Sequence, residues 1–283
     1  ELTAIGRIHD ADRALAAIAT VKDAGLDVSC DLMCGLPGQT AASWKRTLDG
    51  VLVAAPHHVS VYPLTLEEGT PLYRMARRDE SLEPDEDFQA SCMDLARELL
   101  GAAGYHPYEV ASYALDGHEC AHNIAYWTGR GYLGLGRSAA GMLDAEDFDR
   151  LAGLFPGVSS RGDAYRVRLV QRDDDAMAFE TEYLSQREAA AEDLMLACRM
   201  TRGVASDLLV RAACVIPTGE LAAACDHALE LGLATWVPEA LGAHEGSFTP
   251  ADVVAGRARA RLAPTHLGWL DGNVLFELFW GLA

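Results

Sequence analysis

Asp31-Leu32-Met33-Cys34-Gly35-Leu36-Pro37-Gly38-Gln39-Thr40 reads as a strand, a tight turn and the start of a helix. Val28 to Met33 is a short β-prone run, Gly-Pro-Gly forms the turn, and the Thr40 hydroxyl stands at a helix cap. Beyond it, Trp44, Leu48, Val51 and Leu52 line one helical face. Upstream, Ala11, Leu15 and Ile18 mark a helix from Asp10 to Ala24, with Gly25 at its C-terminal end. Downstream, His58 to Leu64 is a further strand, rich in Val and Tyr. Helix, strand, helix, strand at this pace predicts an α/β protein with a parallel sheet.

Asp85 to Ala103 predicts another amphipathic helix, with Phe88, Cys92, Leu95 and Leu99 on one face. Its first turn carries Asp85, Glu86 and Asp87, which suit the positive end of a helix dipole. Tyr108 to Ser112 predicts a strand, and Leu143 to Asp163 an irregular connection. At Tyr165 the pattern changes. Tyr165, Val167 and Leu169 alternate with Arg166 and Arg168 as a half-buried strand. Ser185-Gln186-Arg187-Glu188 is a capping box, Thr218 can cap a second helix, and Leu267, Leu270, Val274 and Leu278 mark a last one. The expected organisation is therefore an α/β domain over 1–164 and a small, mostly helical domain over 165–283.

A chain of 283 residues, half of them apolar, buries a real core and is not a disordered polypeptide. No apolar run is long enough to span a bilayer, and no signal peptide opens the sequence. The net charge of −19 argues against nucleic acid and anionic lipid as partners. The seven Cys are dispersed, as free thiols in a reducing cytoplasm would be. The 79–87 charge run reads as a solvated helix entrance. Arg257, Arg259 and Arg261 form a modest basic patch, and Trp269 and Trp280 are expected in the core or at a domain interface.

Asp31 is expected in a buried strand, where a lone carboxylate is costly and needs partners. Near the C-terminal end of a barrel strand it would hold a ligand; equally, it could cap the Gly35–Gly38 turn. Gly35 to Thr40 brings backbone close to a ligand and then presents a helix N-terminus, but it is neither a Walker loop nor GxGxxG. A plain strand-to-helix turn accounts for it. A second stretch, His122-Asn123-Ile124-Ala125-Tyr126-Trp127, sets an imidazole beside two large aromatics and precedes Gly131-Tyr132-Leu133-Gly134-Leu135-Gly136. His118, Cys120 and His122 fall close enough for a zinc site, without a fourth ligand at a usual spacing.

Asp31 to Thr40 resembles the DLxxGLPGQT segment of radical S-adenosylmethionine proteins related to oxygen-independent coproporphyrinogen III oxidase. Gly6-Arg7-Ile8-His9 resembles their GRxH, and Glu67-Glu68-Gly69-Thr70-Pro71-Leu72 their EEGTPL. Tyr108-Glu109-Val110 and Gly134-Leu135-Gly136-Arg137-Ser138-Ala139 follow in order. The HNxxYW pattern resembles the heme chaperone, HemW-like branch. The resemblance implies a partial (β/α) radical-SAM-type barrel with a small C-terminal domain. It implies S-adenosylmethionine contacts at Arg7, Asp31, Thr65 and Ala140, the last where relatives carry a larger residue, and heme ligation by His122.

The family holds a [4Fe-4S] cluster on CxxxCxxC near the N-terminus, and this chain has no such motif. Cys30 and Cys34 share the first spacing, but Pro37 occupies the third position. The barrel is thus expected to be N-terminally incomplete, with a cluster only in a full-length form and no ligands for that cluster in this chain. The function implied is heme binding and delivery to apo-proteins in the cytoplasm. The alternatives are an oxidase acting on coproporphyrinogen III in porphyrin biosynthesis, and a non-catalytic fragment.

Overall fold

The computed structural model describes residues 1–172, 178–239 and 248–283. These form two compact units, Glu1–Cys120 and Ala121–Ala283.

The first unit runs α1 (Ala11–Asp23), β1 (Ser29–Cys34), α2 (Ala41–Ala54), β2 (His58–Pro63), α3 (Pro71–Ala76), α4 (Glu86–Ala102), β3 (His106–Pro107) and β4 (Ser112–Ala114). The sheet order is β1-β2-β4-β3. β1 and β2 are parallel, with Asp31 opposite Ser60. β4 is antiparallel to both neighbours, with Ser60 opposite Ser112. The expected parallel sheet therefore holds for one pair only. The helical crossover after β2 delivers β3 in the parallel sense, but a tight reversal then inserts β4 between β2 and β3. That reversal also corrects the strand expected over Tyr108–Ser112: most of it is the turn, and pairing resumes at Ser112.

Alternation splits the sheet into two faces. Leu32, Cys34, Val59, Val61 and Tyr113 are buried on one of them. Trp44, Leu48, Cys92, Ala96 and Leu100, from α2 and α4, are buried as well. The Trp44 indole N–H donates to the Cys92 carbonyl at 2.8 Å, so this large side chain enters the core with its one polar atom satisfied.

The Gly35–Thr40 turn is built from its own side chains. Gly35 has φ +76° and donates its N–H to Gln39 Oε1 at 2.7 Å. A Cβ on Gly35 would lie 2.5 Å from Gln89 Cγ, and Gln89 is held by its Nε2 donating to the Leu64 carbonyl at 2.8 Å. Thr40 then caps α2 in a reciprocal box with Ser43.

The second unit runs α5 (Ala121–Trp127), β5 (Ala140–Asp144), α6 (Ala145–Leu151), β6 (Arg166–Gln171), β7 (Phe179–Leu184), α7 (Gln186–Ala197), α8 (Ser206–Ala212), α9 (Thr218–Glu230), β8 (Ala234–Pro238), α10 (Pro250–Val254), β9 (Ala260–Pro264), α11 (His266–Leu270) and α12 (Gly272–Trp280). β5-β6-β7 is an antiparallel sheet and β8-β9 an antiparallel pair. The first sheet spans the 164/165 position where the sequence changes character.

Leu143–Asp163, expected to be irregular, contains the end of β5 and all of α6. Asp144 caps α6, and Glu146 and Asp147 occupy its first turn. Leu143, Phe148, Phe155, Val167 and Leu169 bury one another there, a cluster that weak local periodicity does not reveal. Thr218 is the first residue of α9, with Pro217 before it, rather than the cap. The last predicted helix breaks at Asp271 into α11 and α12. Trp269 is buried as expected, whereas Trp280 is 42% exposed.

Arg166 points inward. Its guanidinium donates to Glu192 Oε2 at 3.1 Å and to both Asp193 oxygens at 2.9 and 3.1 Å, while Arg168 also bonds Glu192. These ion pairs join β6 to α7.

Candidate functional site

The face of the first sheet opposite the helices is polar. It carries Asp31 on β1, His58 and Ser60 on β2, and Ser112 on β4. Ser112 Oγ lies 3.4 Å from Ser60 Oγ. His58 is 6% exposed and held at both ring nitrogens: Nδ1 to Ser29 Oγ at 2.9 Å and Nε2 to Tyr108 OH at 2.8 Å. Burial lowers the His58 pKa from its ordinary value, against an opposing pull from Asp31. A neutral imidazole suits this place, because one ring nitrogen can accept from a hydroxyl while the other donates to one.

Asp31 itself is exposed, a correction to its expected burial. β1 lies at the edge of the sheet, and Asp31 faces away from the helices that cover the other side. No internal partner is needed to offset its charge, and its oxygens are open to a ligand. Asp31 is not the cap of the Gly35–Gly38 turn either, since Gln39 fills that role. Arg7 and Thr65 are likewise exposed, Thr65 just beyond the C-terminal end of β2. Among the described residues Arg7 forms no ion pair.

The sequence reading missed His58, Ser60 and Ser112. The signal was there for β2: His58, Ser60 and Tyr62 alternate with Val59 and Val61, a polar face against an apolar one. Ser112 had no such signal, because its strand is three residues long.

The cysteines are free, and those that approach one another do so only in pairs, Cys34 with Cys92 and Cys198 with Cys225. Burial pushes the Cys34 thiol up to about 12 and that of Cys92 to about 11, so both stay protonated and are poor metal ligands. No Cys belongs to any group of three potential ligands among the described residues. The residues present do not fit a [4Fe-4S] cluster.

In the second unit, α5 presents His122 and Tyr126 one helical turn apart, and both are exposed. The Tyr126 ring lies 4.9 Å from that of Trp127, edge-on, and 5.3 Å from that of Tyr132. Burial, with a contribution from Tyr126, raises the Tyr132 phenol to about 12. Beneath this cluster the Arg199 guanidinium lies 5.1 Å from the Trp127 ring and 4.3 Å from that of Phe276. The following loop exposes Leu133 at 46% and Leu135 at 89%. The backbone then turns through Ser138, at φ +57°, into Ala140, the exposed first residue of β5. An accessible imidazole on the same helical face as the ring of Tyr126, itself packed on Trp127 and Tyr132, can take a flat apolar ligand with a metal at its centre.

No protein-family model matches the chain. Among characterised relatives, it is 35% identical over 206 residues to "Heme chaperone HemW" of Synechocystis sp., covering 72% of this chain and 48% of that protein. It is 37% identical over 143 residues to "Heme chaperone HemW" of Mycobacterium tuberculosis, 50% of this chain and 37% of that one. Against the mitochondrial "Radical S-adenosyl methionine domain-containing protein 1" of Bos taurus it is 39% identical over 144 residues, 50% of this chain and 33% of that one. The chain thus spans about half or less of the length of these relatives. Among solved structures, Escherichia coli coproporphyrinogen III oxidase (HemN), a radical SAM enzyme, superposes with a TM-score of 0.66 at 16% identity, over 98% of this chain and 60% of that one. At that identity the likeness shows the fold.

Proposed function

The chain belongs to the HemW-like branch of the radical S-adenosylmethionine proteins related to coproporphyrinogen III oxidase, and from this membership we propose that it binds heme and passes it to apo-proteins. The observation that carries the reading is the exposed pair His122 and Tyr126 on one face of α5, next to Tyr132 and the bare Leu133 and Leu135. His122 would hold the heme iron through a ring nitrogen. The aromatic rings and leucines cover the macrocycle, which is otherwise costly to expose to water.

A chaperone must also release its cargo. A heme held by one side-chain nitrogen on an open surface suits hand-over better than one enclosed in a cavity. The cytoplasmic location is part of this reading and rests on the dispersed cysteines, which suit a reducing compartment. No helix among the described residues is long and apolar enough to cross a membrane.

S-adenosylmethionine is the second ligand of this reading. In this chain the exposed Asp31 carboxylate would accept hydrogen bonds from ligand hydroxyls, with Arg7 and Thr65 as further contacts in the first unit. Coproporphyrinogen oxidation draws no support from these residues, because the cysteines do not fit the cluster on which that chemistry depends.

Hemin titration of the purified chain tests the proposal. The expected result is a saturable Soret shift that His122→Ala weakens about tenfold or more. An identical spectrum and affinity in His122→Ala would overturn the role of His122. Failure of heme-loaded protein to transfer heme to an apo-protein would overturn the chaperone reading.

A further inference from the structure

We propose that Asp27, His57 and His118 form a binding site for a zinc-class divalent metal ion, at the opposite end of the first sheet from Thr65. The three residues come from distant parts of the chain. Asp27 lies just before β1, His57 just before β2, and His118 four residues after β4. β4 runs against β1 and β2, so its C-terminal end lies beside their N-terminal ends. The sheet topology alone brings the three chain ends together.

Asp27 Oδ2 lies 3.0 Å from His118 Nδ1, and Asp27 Oδ1 lies 3.7 Å from His57 Nε2. One potential ligand atom from each residue falls within 4.8 Å of the others. A tetrahedral ion with bonds of about 2.0–2.1 Å to nitrogen and oxygen separates its ligand atoms by roughly 3.4 Å. The observed spacings bracket that value. The two imidazole rings face each other at 4.7 Å between centroids and are tilted by 36°, so both can turn a nitrogen toward a common point. Both rings are partly buried, and the carboxylate forms an exposed rim. Two imidazoles and one carboxylate are a donor set for zinc and its late first-row neighbours, with the remaining positions left to water.

Sequence spacing groups His118 with Cys120 and His122. The structure instead turns His118 toward Asp27 and His57, neither of which its spacing could indicate. One contact opposes loading. His57 Nδ1 accepts the Val28 N–H at 3.1 Å, which keeps the proton of the neutral ring on Nε2. Ligation through Nε2 moves that proton to Nδ1 and ends the Val28 bond, which weakens binding on the order of tenfold. The site is therefore expected to exchange its ion, in contrast to a closed structural zinc site. An ion bound there ties the approaches to β1 and β2 to the chain leaving β4.

Stripping the purified chain with chelator and titrating it with Co²⁺ and Zn²⁺ tests this. The expected result is visible Co²⁺ d–d absorption that Zn²⁺ displaces, together with a Tm raised by several degrees on adding Zn²⁺. His118→Gln and Asp27→Asn should each abolish both effects, while Cys120→Ser should retain them. Far-UV dichroism of the metal-free variants checks that they fold; if one does not, the other carries the comparison. Absence of Co²⁺ absorption in the unmodified chain, or its persistence in either ligand variant, overturns the proposal. Loss of binding only in Cys120→Ser would assign the ion elsewhere and overturn it as well.

Discussion

Gly35 and His58 show how single residues set the first unit. Gly35 combines a left-handed backbone with a Gln89 side chain where a Cβ would go. Gly35→Ala should destabilise the protein by about 2 kcal/mol or more, from the backbone term and the clash together, as read from urea unfolding. His58 makes a prediction in pH. Its folded pKa lies below the ordinary value near 6.5, so the unfolded chain takes up a proton first as the solution is acidified. Its contribution is full above about pH 6.5 and is lost as the pH falls through the lowered folded value. Unfolding midpoints at pH 7.5 and 5.5 should show a smaller drop in His58→Gln than in the unmodified chain. An equal drop in both would remove His58 as the source. The sequence pointed to Asp31 as the polar residue to explain, but it could not show that Asp31 lies on an open edge while His58 takes the buried place. Neighbouring strands decide exposure, and local spacing carries no record of which strand is a neighbour.

At the level of helices and strands, capping was the most legible signal. Thr40 and Ser185 both cap as read, because a cap is a bond between residues three apart and needs nothing from elsewhere. Thr40→Ala should cost about 1 kcal/mol in an equilibrium melt. The β6–α7 ion pairs were not legible, since alternation places Arg166 on a polar face. Its partners Glu192 and Asp193 lie one strand and part of a helix away. Arg166→Ala leaves Asp193 without its cation and Glu192 with Arg168 alone, and should cost about 1.5–3 kcal/mol. Chemical denaturation would show it as a lower midpoint. α6 was missed for a related reason: Asp144, Glu146 and Asp147 mark its start, but its apolar side is defined only by β5 and β6.

Two ligand expectations belong to the molecule as a whole. S-adenosylmethionine binding, followed by calorimetry, should weaken about tenfold or more in Asp31→Asn, since the amide replaces a charged acceptor by a neutral one. Anaerobic incubation with iron and sulfide should leave this chain without the broad visible absorption of a [4Fe-4S] cluster. The cysteines are spread over both units, and burial holds the Cys34, Cys92 and Cys225 thiols protonated. Appearance of that absorption would show thiolates converging in a way the described residues do not.

The order of the motifs along the chain was enough to identify the family and the alternation of helix and strand in the first unit. Each of these rests on contacts or matches between near neighbours in sequence. Tertiary structure was needed for the direction of β4, the polar face around His58, the inward turn of Arg166 and the convergence of Asp27, His57 and His118. These join residues tens of positions apart, and only chain reversal and strand pairing set which distant groups meet.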